Sequence, residues 1–461
     1  MVVPTEIALL TDLEILRIDS CLMGSIPPDL GKLSKLGVVQ MASSLIDSTC
    51  GLTGSIPPKL QSLGSLNELD LSWNTLKGTI PTVIGSLSSL TTLDLSSNSL
   101  TGPIPREIGS LTNLTNLNLA SNVLRGAIPP EIGLLTRLCS LDLSSNQLSA
   151  TRGAIPTEIG SLTALTYLGL SSNPFSATIP SEIGYLTSLI SLDSSTDSWI
   201  GTIPREIRSL TSLISWNSSS NFLMGTIPTE VQSLTKLRSL DFSDNYLTGP
   251  VPTLIRALTS LTSLNLSFNM LKGSIPSEIG SLAKLESLYL YLNFLTGTIR
   301  SEIGFLTALM DLELSSNLLN GTIPTEIGLL TSLIDLELDS NLLNGTIPPE
   351  IGDLTNLIAL DLDSNSLTGT IPTRIGQLQS LQYLYLYNNT LRGSVPTELG
   401  TLANLSGILL ETNNLTGSVE GIFCLQPNNN SMEDGKAKAI LLYADCAKVS
   451  CSCCTICFPV E

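Results

Sequence analysis

Seven carboxylates and five tyrosines recur at two-residue spacing within short apolar segments. Side chains two residues apart point to the same side of a strand, so each set is expected on one exposed face. Clustered carboxylates attract cations and basic groups, and tyrosine adds contact area, hydrogen bonding and a ring face that binds cations. We therefore predict a ligand-binding face formed by Tyr289, Tyr291, Asp311, Glu313, Asp335, Glu337, Asp339, Asp361, Asp363, Tyr383, Tyr385 and Tyr387.

The mixture of acids and tyrosines favours a basic peptide, or a glycan that carries amines, as the ligand. Two other interpretations stay open. Calcium can bridge carboxylates, and exposed acids can simply be solvated and keep a protein from aggregating. We predict no resident metal ion and no cofactor.

The remaining composition excludes several classes of function. The chain has 461 residues and no histidine, which removes Ser-His-Asp triads, histidine metal sites and the usual general base near neutral pH. With 22 basic and 40 acidic residues the net charge is −18, which disfavours nucleic-acid binding. No apolar run approaches the roughly 18–20 residues of a membrane span. The sequence predicts a protein that is not an enzyme and has no nucleic-acid partner.

Nine cysteines fall into two groups. Three lie in the body of the chain: Cys21 and Cys50, which are either a disulfide pair or replacements for a repeated Asn, and Cys139, which we expect to be an inert thiol. The other six crowd the tail and predict a disulfide-stapled cap in an oxidising compartment, with a thiolate metal site as the alternative. These six are Cys424, Cys446, Cys451, Cys453, Cys454 and Cys457.

A repeat of 24 residues must position all of these side chains. The segment from Leu330 to Pro348, LTSLIDLELDSNLLNGTIP, aligns with those that begin at Leu63 and Leu87. Seventeen copies, numbered 1 to 17 below, begin at Leu10, Leu33, Leu63, Leu87, Leu111, Leu135, Leu162, Leu186, Leu210, Leu234, Leu258, Leu282, Leu306, Leu330, Leu354, Leu378 and Leu402.

Each part of the repeat predicts a local structure. The segment LxxLxL alternates apolar and polar residues, which indicates a short strand with one buried face. The Asn that follows has an amide that donates and accepts, so a buried column of Asn is expected to satisfy the backbone of the turns. The next Gly permits a bend, and the Pro of the IP pair precedes a short helical turn whose first Glu faces the positive end of the helix dipole.

The pattern LxxLxxLxLxxNxLxGxIPxxIGxL resembles the plant-type leucine-rich repeat (LRR), as found in receptor-like kinase ectodomains and polygalacturonase-inhibiting proteins. The resemblance implies an α/β solenoid, a right-handed superhelix with a concave parallel β-sheet, short helical or 3-10 turns on the convex side, and often a second short strand after the Asn turn. We expect residues 1–9 to be the remnant of a preceding repeat without an N-terminal cap, residues 10–420 to be about 17 repeats, and residues 421–461 to be a cysteine-rich cap.

Copies 8 and 9 depart from the pattern. Ser194 and Ser218 replace strand leucines, while Trp199 and Trp216 appear at leucine positions. We expect the indoles to fill the space that the serines leave. A hinge or a secondary site is the alternative.

The resemblance favours a non-enzymatic extracellular recognition module, either a receptor-like protein or an ectodomain fragment, which binds a protein, peptide or glycan on its concave face. An inhibitor of a secreted hydrolase is the alternative, and an ice-binding protein, suggested by the threonine column Thr298, Thr322, Thr346 and Thr370, is a minor one.

We expect secretion, or display on the extracellular face of a membrane, although the opening MVVPTEIALL lacks the features of a signal peptide, which we expect upstream. Nine Asn-X-Ser/Thr sequons, about the number expected by chance, permit N-glycosylation. They are Asn113, Asn217, Asn265, Asn320, Asn344, Asn388, Asn404, Asn414 and Asn429.

Overall fold

One structural coil is repeated along the chain. In the computed structural model, residues 2–18, 21–43, 50–149, 155–423, 441–445, 448–452 and 454–457 are described. Each coil contains a short strand, a turn and a 3-10 helix, and most coils add a second short strand. In most coils the turn holds the repeated Asn, which Cys21, Cys50 and Asp197 replace in copies 1, 2 and 8. The strands pair in parallel with their counterparts in neighbouring coils, as the LRR resemblance predicts. The chain divides into two units, Met1–Leu237 and Arg238–Glu461.

The first unit has a main sheet, shorter lateral strands and one row of 3-10 helices. The main-sheet strands are Ile15–Arg17, Val38–Gln40, Glu68–Asp70, Thr92–Asp94, Asn116–Asn118, Ser140–Asp142, Tyr167–Gly169, Ser191–Asp193 and Ser215–Asn217. The lateral strands are Lys77–Thr79, Ser99–Gly102, Val123–Gly126, Gln147–Leu148, Ile200–Gly201 and Phe222–Thr226. The 3-10 helices are Thr5–Leu9, Pro28–Lys32, Pro58–Ser62, Thr82–Ser86, Arg106–Ser110, Pro130–Leu134, Thr157–Ser161, Ser181–Tyr185, Arg205–Ser209 and Thr229–Ser233.

The second unit repeats this arrangement and adds one helical turn, Glu420–Phe423. Its main-sheet strands are Ser239–Asp241, Ser263–Asn265, Ser287–Tyr289, Asp311–Glu313, Asp335–Glu337, Ala359–Asp361, Tyr383–Tyr385, Gly407–Leu409, Leu441–Ala444 and Ile456–Cys457. Its lateral strands are Tyr246–Gly249, Met270–Gly273, Phe294–Gly297, Leu318–Gly321, Leu342–Thr346, Ser366–Thr368, Arg392–Ser394, Asn414–Ser418 and Val449–Ser450. Its 3-10 helices are Thr253–Ala257, Ser277–Ser281, Ser301–Phe305, Thr325–Leu329, Pro349–Asp353, Thr373–Gln377 and Thr397–Thr401.

The repeated leucines and isoleucines form the core of each coil. In copy 12, Leu288, Leu290 and Leu295 are fully buried, and Ile303 of the 3-10 helix is 3% exposed. Burial of one such side chain stabilises the fold by about 1.5–3 kcal/mol. Because every coil contributes the same set, the core is a continuous stack within each unit, and the residues between the leucines remain at the surface.

The predicted column of Asn side chains is confirmed and joins each coil to the one before it. The Oδ1 of Asn293 accepts the Leu271 backbone N–H at 2.9 Å. Its Nδ2 donates to the Leu266 carbonyl at 2.9 Å and to the Leu290 carbonyl at 3.1 Å. The residue before this ladder Asn, Leu292, has a φ of 51°, in the left-handed region. One amide therefore satisfies three backbone groups that the core would otherwise leave without partners.

The two described disulfides lie near the two ends of the chain. Cys21 is bonded to Cys50 with a Cα–Cα distance of 5.0 Å, and Cys451 is bonded to Cys454. Cys139 is exposed and free. Of the other cysteines expected in the cap, Cys424, Cys446 and Cys453 and the side chain of Cys457 lie outside the described residues.

The described part of the tail continues both sheets of the second unit. The strand Leu441–Ala444 pairs with Gly407–Leu409 in the main sheet. Asp445 then accepts the backbone N–H groups of Thr412 and Asn413 at 2.9 and 3.0 Å. These carboxylate hydrogen bonds satisfy a turn that has no further 24-residue copy beside it.

The tryptophans of copies 8 and 9 fill the core as expected. Trp199 and Trp216 are 0% and 1% exposed. The hydroxyl groups of Ser194 and Ser218 lie 2.7 Å apart, and the Trp216 indole donates to Ser218 Oγ at 2.7 Å. The buried serines are thus hydrogen-bonded to each other and to an indole, which explains why two polar residues are tolerated at leucine positions.

Asp197 takes the place of the ladder Asn in copy 8. It is 8% exposed, and it accepts the Asn173 backbone N–H at 2.5 Å and the Trp199 indole N–H at 2.8 Å. Burial, together with the nearby charge of Asp193, raises the pKa of Asp197 to about 7 against these hydrogen bonds. An ionised carboxylate can only accept, so it cannot donate to the carbonyl groups as an amide does.

We expect Asn293→Ala to destabilise the protein by about 2–4 kcal/mol, because the buried Leu271 N–H and Leu266 carbonyl lose their partner. Urea unfolding followed by circular dichroism measures the change. The control is Asn356→Ala, since Asn356 is exposed and donates a single hydrogen bond to the Thr331 carbonyl. Equal losses for the two variants would contradict the role of the ladder.

We expect the effect of Asp197→Asn on the thermal midpoint to be more favourable at pH 8 than at pH 5, even though Asn, with a single acceptor oxygen, loses one of the two hydrogen bonds from Asn173 and Trp199. The folded pKa near 7 lies above the ordinary 3.8, so the unfolded chain releases its proton first as the pH rises. The resulting penalty on folding is absent below about pH 4, grows through pH 7 and is then complete. Asn carries no such penalty. Thermal melts at both pH values test this, with Asp94→Asn on the main sheet as control. An equal change in the midpoint at pH 5 and pH 8 would contradict it.

Candidate functional site

The twelve residues predicted to bind a ligand lie on copies 12 to 16 of the second unit. Eight are in main-sheet strands, and four, Tyr291, Asp339, Asp363 and Tyr387, lie two residues beyond a strand. Buried leucines such as Leu336 alternate with them and hold the backbone in place. The predicted residues therefore occur on one face of one sheet, as their spacing requires.

The strand register places like charges directly opposite one another. Asp311 pairs with Asp335, and Glu313 pairs with Glu337, which in turn pairs with Asp361. Carboxylates at directly opposed positions of neighbouring strands repel each other. The sheet cannot relieve this repulsion by slipping, because a slip of one residue would expose the leucines.

Three of these acids converge closely enough to share one cation. Carboxylate oxygens of Glu313, Asp335 and Glu337 all lie within 4.8 Å of one another. Asp335 Oδ1 is buried and makes no hydrogen bond. In the part of the chain that the structure describes, none of the seven acids of this face forms an ion pair with Lys or Arg. The cluster therefore presents negative charge that the protein itself does not neutralise.

Burial and mutual repulsion shift the titration of these acids. Burial, then the charges of Glu337 and Asp335, raise the pKa of Glu313 to about 7. Burial is also the main cause that raises the pKa values of Asp335, Glu337 and Asp339. A ligand that brings positive charge would reverse these shifts, because an opposite charge favours the ionised form.

Asp361 and Asp363 form a second acidic pair, and a tyrosine is hydrogen-bonded to Asp363. Asp363 is only 3% exposed, and its backbone N–H donates to Asp361 Oδ1 at 3.1 Å. Burial and a hydrogen bond with Asp363 raise the pKa of Asp361. Tyr387 is also hydrogen-bonded to Asp363, and its pKa is raised, mainly by burial. Asp363 is therefore engaged within the protein and is the least accessible of the twelve residues.

Tyrosines border the acids on both sides. On one side, the Tyr289 hydroxyl donates to Asp311 Oδ2 at 3.3 Å. On the other, the rings of Tyr383 and Tyr385 lie 6.1 Å apart at an angle of 47°, and Tyr383 is 39% exposed. Tyr385 pairs with Asp361 across the strands. The face is thus a row of acids with an aromatic group at each end.

The sequence pattern did not single out Glu411, which extends this face. Glu411 is 8% exposed, and its Oε2 has no hydrogen-bond partner. Burial, with the charges of Asp445 and Asp363, raises its pKa. Its position after the strand leucine is that of Asp339, Asp363 and Tyr387 in earlier copies, so the column itself was the available signal.

Comparison with known proteins agrees with this architecture. A family model described as "Leucine rich repeat" matches residues 64–124, and a second with the same description matches 164–186, 236–258, 260–282, 356–378 and 380–402. The plant peptide hormone receptor RGFR1, solved in complex with RGF2, is 34% identical over 92% of this chain and 75% of that chain, with a TM-score of 0.80. The chain belongs to the leucine-rich repeat family.

Two further LRR structures are similar to this chain. The LRR ectodomain of the Arabidopsis receptor kinase HAESA, in complex with an IDA peptide hormone ligand, is 34% identical over 86% of this chain and 65% of that chain, with a TM-score of 0.78. The Leptospira interrogans LRR protein LIC12759 is 32% identical over 89% and 93%, with a TM-score of 0.62. No curated protein sequence matches the chain. Within the described residues, no helix is long and apolar enough to cross a membrane.

We expect Glu313→Gln to stabilise the LRR protein above pH 7 and to change little below pH 4.5. The folded pKa near 7 exceeds the ordinary 4.5, so folding is penalised increasingly as the pH rises from 4.5 through 7. The amide removes this penalty and also relieves the repulsion on Glu337. Thermal midpoints measured from pH 4 to pH 8 test the expectation, and a variant profile parallel to that of the wild type would contradict it.

Proposed function

We propose that this LRR protein is an extracellular recognition module that binds a basic peptide on the main sheet of copies 12 to 16. The observation that carries the proposal is the convergence of Glu313, Asp335 and Glu337 without a counter-charge, between tyrosines on both sides. A Lys or Arg side chain from a ligand would supply that counter-charge.

The geometry suits a guanidinium or ammonium group. Arg presents a planar fork of donors that matches pairs of carboxylate oxygens, and the three acids offer several oxygens within 4.8 Å. Asp335 Oδ1 is buried and has no hydrogen-bond partner within the protein, and a rotation of this half-buried carboxylate would bring it to such a donor. Because the acids are half-buried, each ion pair with a ligand would be screened less than a pair on an open surface.

The tyrosines add affinity and direction. Tyr383 and Tyr385 offer two tilted rings beside the acidic row, where they can pack on apolar side chains or on a cation. An extended peptide that crosses the strands of copies 12 to 16 would meet aromatic groups at both ends and acids between them. The peptide class is supported by RGFR1 and HAESA, whose structures contain peptide hormones.

An extracellular location is part of the proposal. It is supported by the similarity to plant receptor ectodomains and by the disulfides Cys21–Cys50 and Cys451–Cys454, which persist in oxidising compartments.

We expect Asp335→Asn and Tyr385→Ala each to weaken binding of a basic peptide without lowering thermal stability. The probe is a fluorescein-labelled peptide of alternating Arg and Tyr, measured by fluorescence anisotropy. Loss of a buried aromatic anchor commonly costs about 2 kcal/mol, roughly thirtyfold in affinity. The Asp change should also flatten the dependence of affinity on salt.

Two matched controls separate the site from general attraction to an acidic protein. Ser263 lies in the same register column as Asp335, three coils earlier, but carries no charge. Ser263→Ala therefore shows whether any substitution in this column weakens binding. Tyr185 is 65% exposed at the end of a 3-10 helix, so Tyr185→Ala tests tyrosine loss elsewhere. The proposal fails if the controls weaken binding as much as the test variants, or if the test variants bind normally.

A further inference from the structure

The lateral sheet of the second unit carries a row of exposed apolar side chains. In copies 10 to 14 the residue after the ladder Asn is apolar or aromatic, and all five side chains are between 41% and 53% exposed. The apolar row consists of Tyr246, Met270, Phe294, Leu318 and Leu342. In copies 15 to 17 the same position holds Ser366, Thr390 and Asn414. The fold therefore does not require an apolar residue here.

The strand register makes this row part of one surface. Met270 pairs with Thr248 of the preceding strand, and Phe294 pairs with Lys272. The next two pairs repeat the pattern: Leu318 with Thr296, and Leu342 with Asn320. Each of these four apolar side chains thus has a polar residue of the preceding strand beside it, and the row crosses the lateral sheet at a slant.

Two more apolar side chains stand where the main sheet turns into the lateral sheet. Phe268 and Leu292, at the position before the ladder Asn, are 47% and 41% exposed, and both have a φ of 51°. Ser316 and Ser340 have the same left-handed backbone at this position in the next two copies, so the conformation belongs to the coil rather than to these two residues. The Phe268 ring meets Tyr291 edge-on at a centroid distance of 5.2 Å.

The charges around the row are unusual for this chain. The first, third and fifth positions after the ladder Asn in copies 10 to 14 include no acid and one base, Lys272, whereas the whole chain carries a net charge of −18. Asp244, before the ladder Asn of copy 10, is the acid at the corner of this surface. Two copies of such an acidic protein repel each other least where neither presents carboxylates.

We propose that two copies of this chain associate through this apolar face, defined as the apolar row with Phe268 and Leu292. Seven side chains, each about half exposed, present on the order of 600 Å² of apolar surface, at the upper end of what a monomer leaves uncovered. With the flanking Thr and Asn side chains the face approaches the roughly 800 Å² per partner of a specific interface. One patch that meets its own copy forms a closed, two-fold symmetric dimer.

Other occupants fit the face less well. Membrane-surface binding relies on basic residues beside the apolar ones, and here Lys272 is alone. Glycans stack on flat rings, whereas Met270, Leu318 and Leu342 are aliphatic. The sequons at Asn320 and Asn344 lie on this same face, and an attached glycan would cover it, so the proposal requires both asparagines to be free of glycan. Mass spectrometry of the secreted protein that finds a glycan at either position would overturn it.

The test is sedimentation equilibrium of the full chain between about 1 and 100 μM, a range that detects a dimer even if its dissociation constant lies at the weak, micromolar end for interfaces of this size. We expect the weight-average mass to approach twice that of one chain. Phe294→Glu and Leu318→Glu should each raise the dimer dissociation constant at least tenfold, because each places a carboxylate in the apolar contact. Leu318→Asn, which matches the polar neighbours of the row, should weaken the dimer in the same direction if a Glu variant folds poorly.

Matched controls come from the same copies. Phe305 and Leu329, 61% and 53% exposed, end the 3-10 helices of copies 12 and 13, so Phe305→Glu and Leu329→Glu should leave the dimer intact. The proposal is overturned by a single-chain mass at every concentration, by a dimer that survives the test variants, or by one that the controls disrupt equally. Binding of the monomer to neutral lipid vesicles or to insoluble polysaccharide, with no dimer, would assign the face to that occupant instead.

Discussion

The hydrogen bonds of the ladder asparagines are the constraint on which the rest of the structure depends. Each amide ties three backbone groups of two successive coils together, and it does so inside a core of leucines where water cannot replace it. Where the Asn is present, successive coils stack so that these groups meet, and the buried leucines keep the same stacking where Cys or Asp replaces it. The register between neighbouring main-sheet strands is therefore the same throughout each unit, and equivalent residues form columns.

The alignment of equivalent residues in columns explains why the acidic face exists and why it lowers the stability of the protein. Stability comes from the buried leucines, so the residues between them can be chosen for other reasons. Where successive copies contain Asp or Glu, the fixed register places carboxylates directly opposite one another. Burial and this repulsion destabilise the ionised form, as the raised pKa of Glu313 indicates. A face that is unfavourable alone and is relieved by a cation is what a binding surface for basic groups requires.

The alignment of equivalent residues also gives the second unit an apolar surface, in addition to the acidic face. The residues after the ladder Asn form the apolar row, and Phe268 and Leu292 adopt a left-handed backbone at its corner. The coil backbone prescribes this conformation regardless of residue type, because Ser316 and Ser340 adopt it in the next two copies. The backbone conformation is therefore a property of the coil, and it is the exposure of Phe268 and Leu292 that supports the proposed contact.

The sequence by itself determined the period, the strands, the Asn column and the face on which the twelve site residues lie, because local spacing decides which side chains share a side of a strand. Only the tertiary structure decided three other features. In the folded chain, Ser194 and Ser218 are hydrogen-bonded to each other, and Asp197 and Glu411 are buried. The apolar row is exposed. A leucine after the ladder Asn looks like another core residue in the sequence. Whether a side chain is buried, and how far burial shifts its pKa, depends on atoms contributed by neighbouring coils about 24 residues away, and local spacing does not place those atoms.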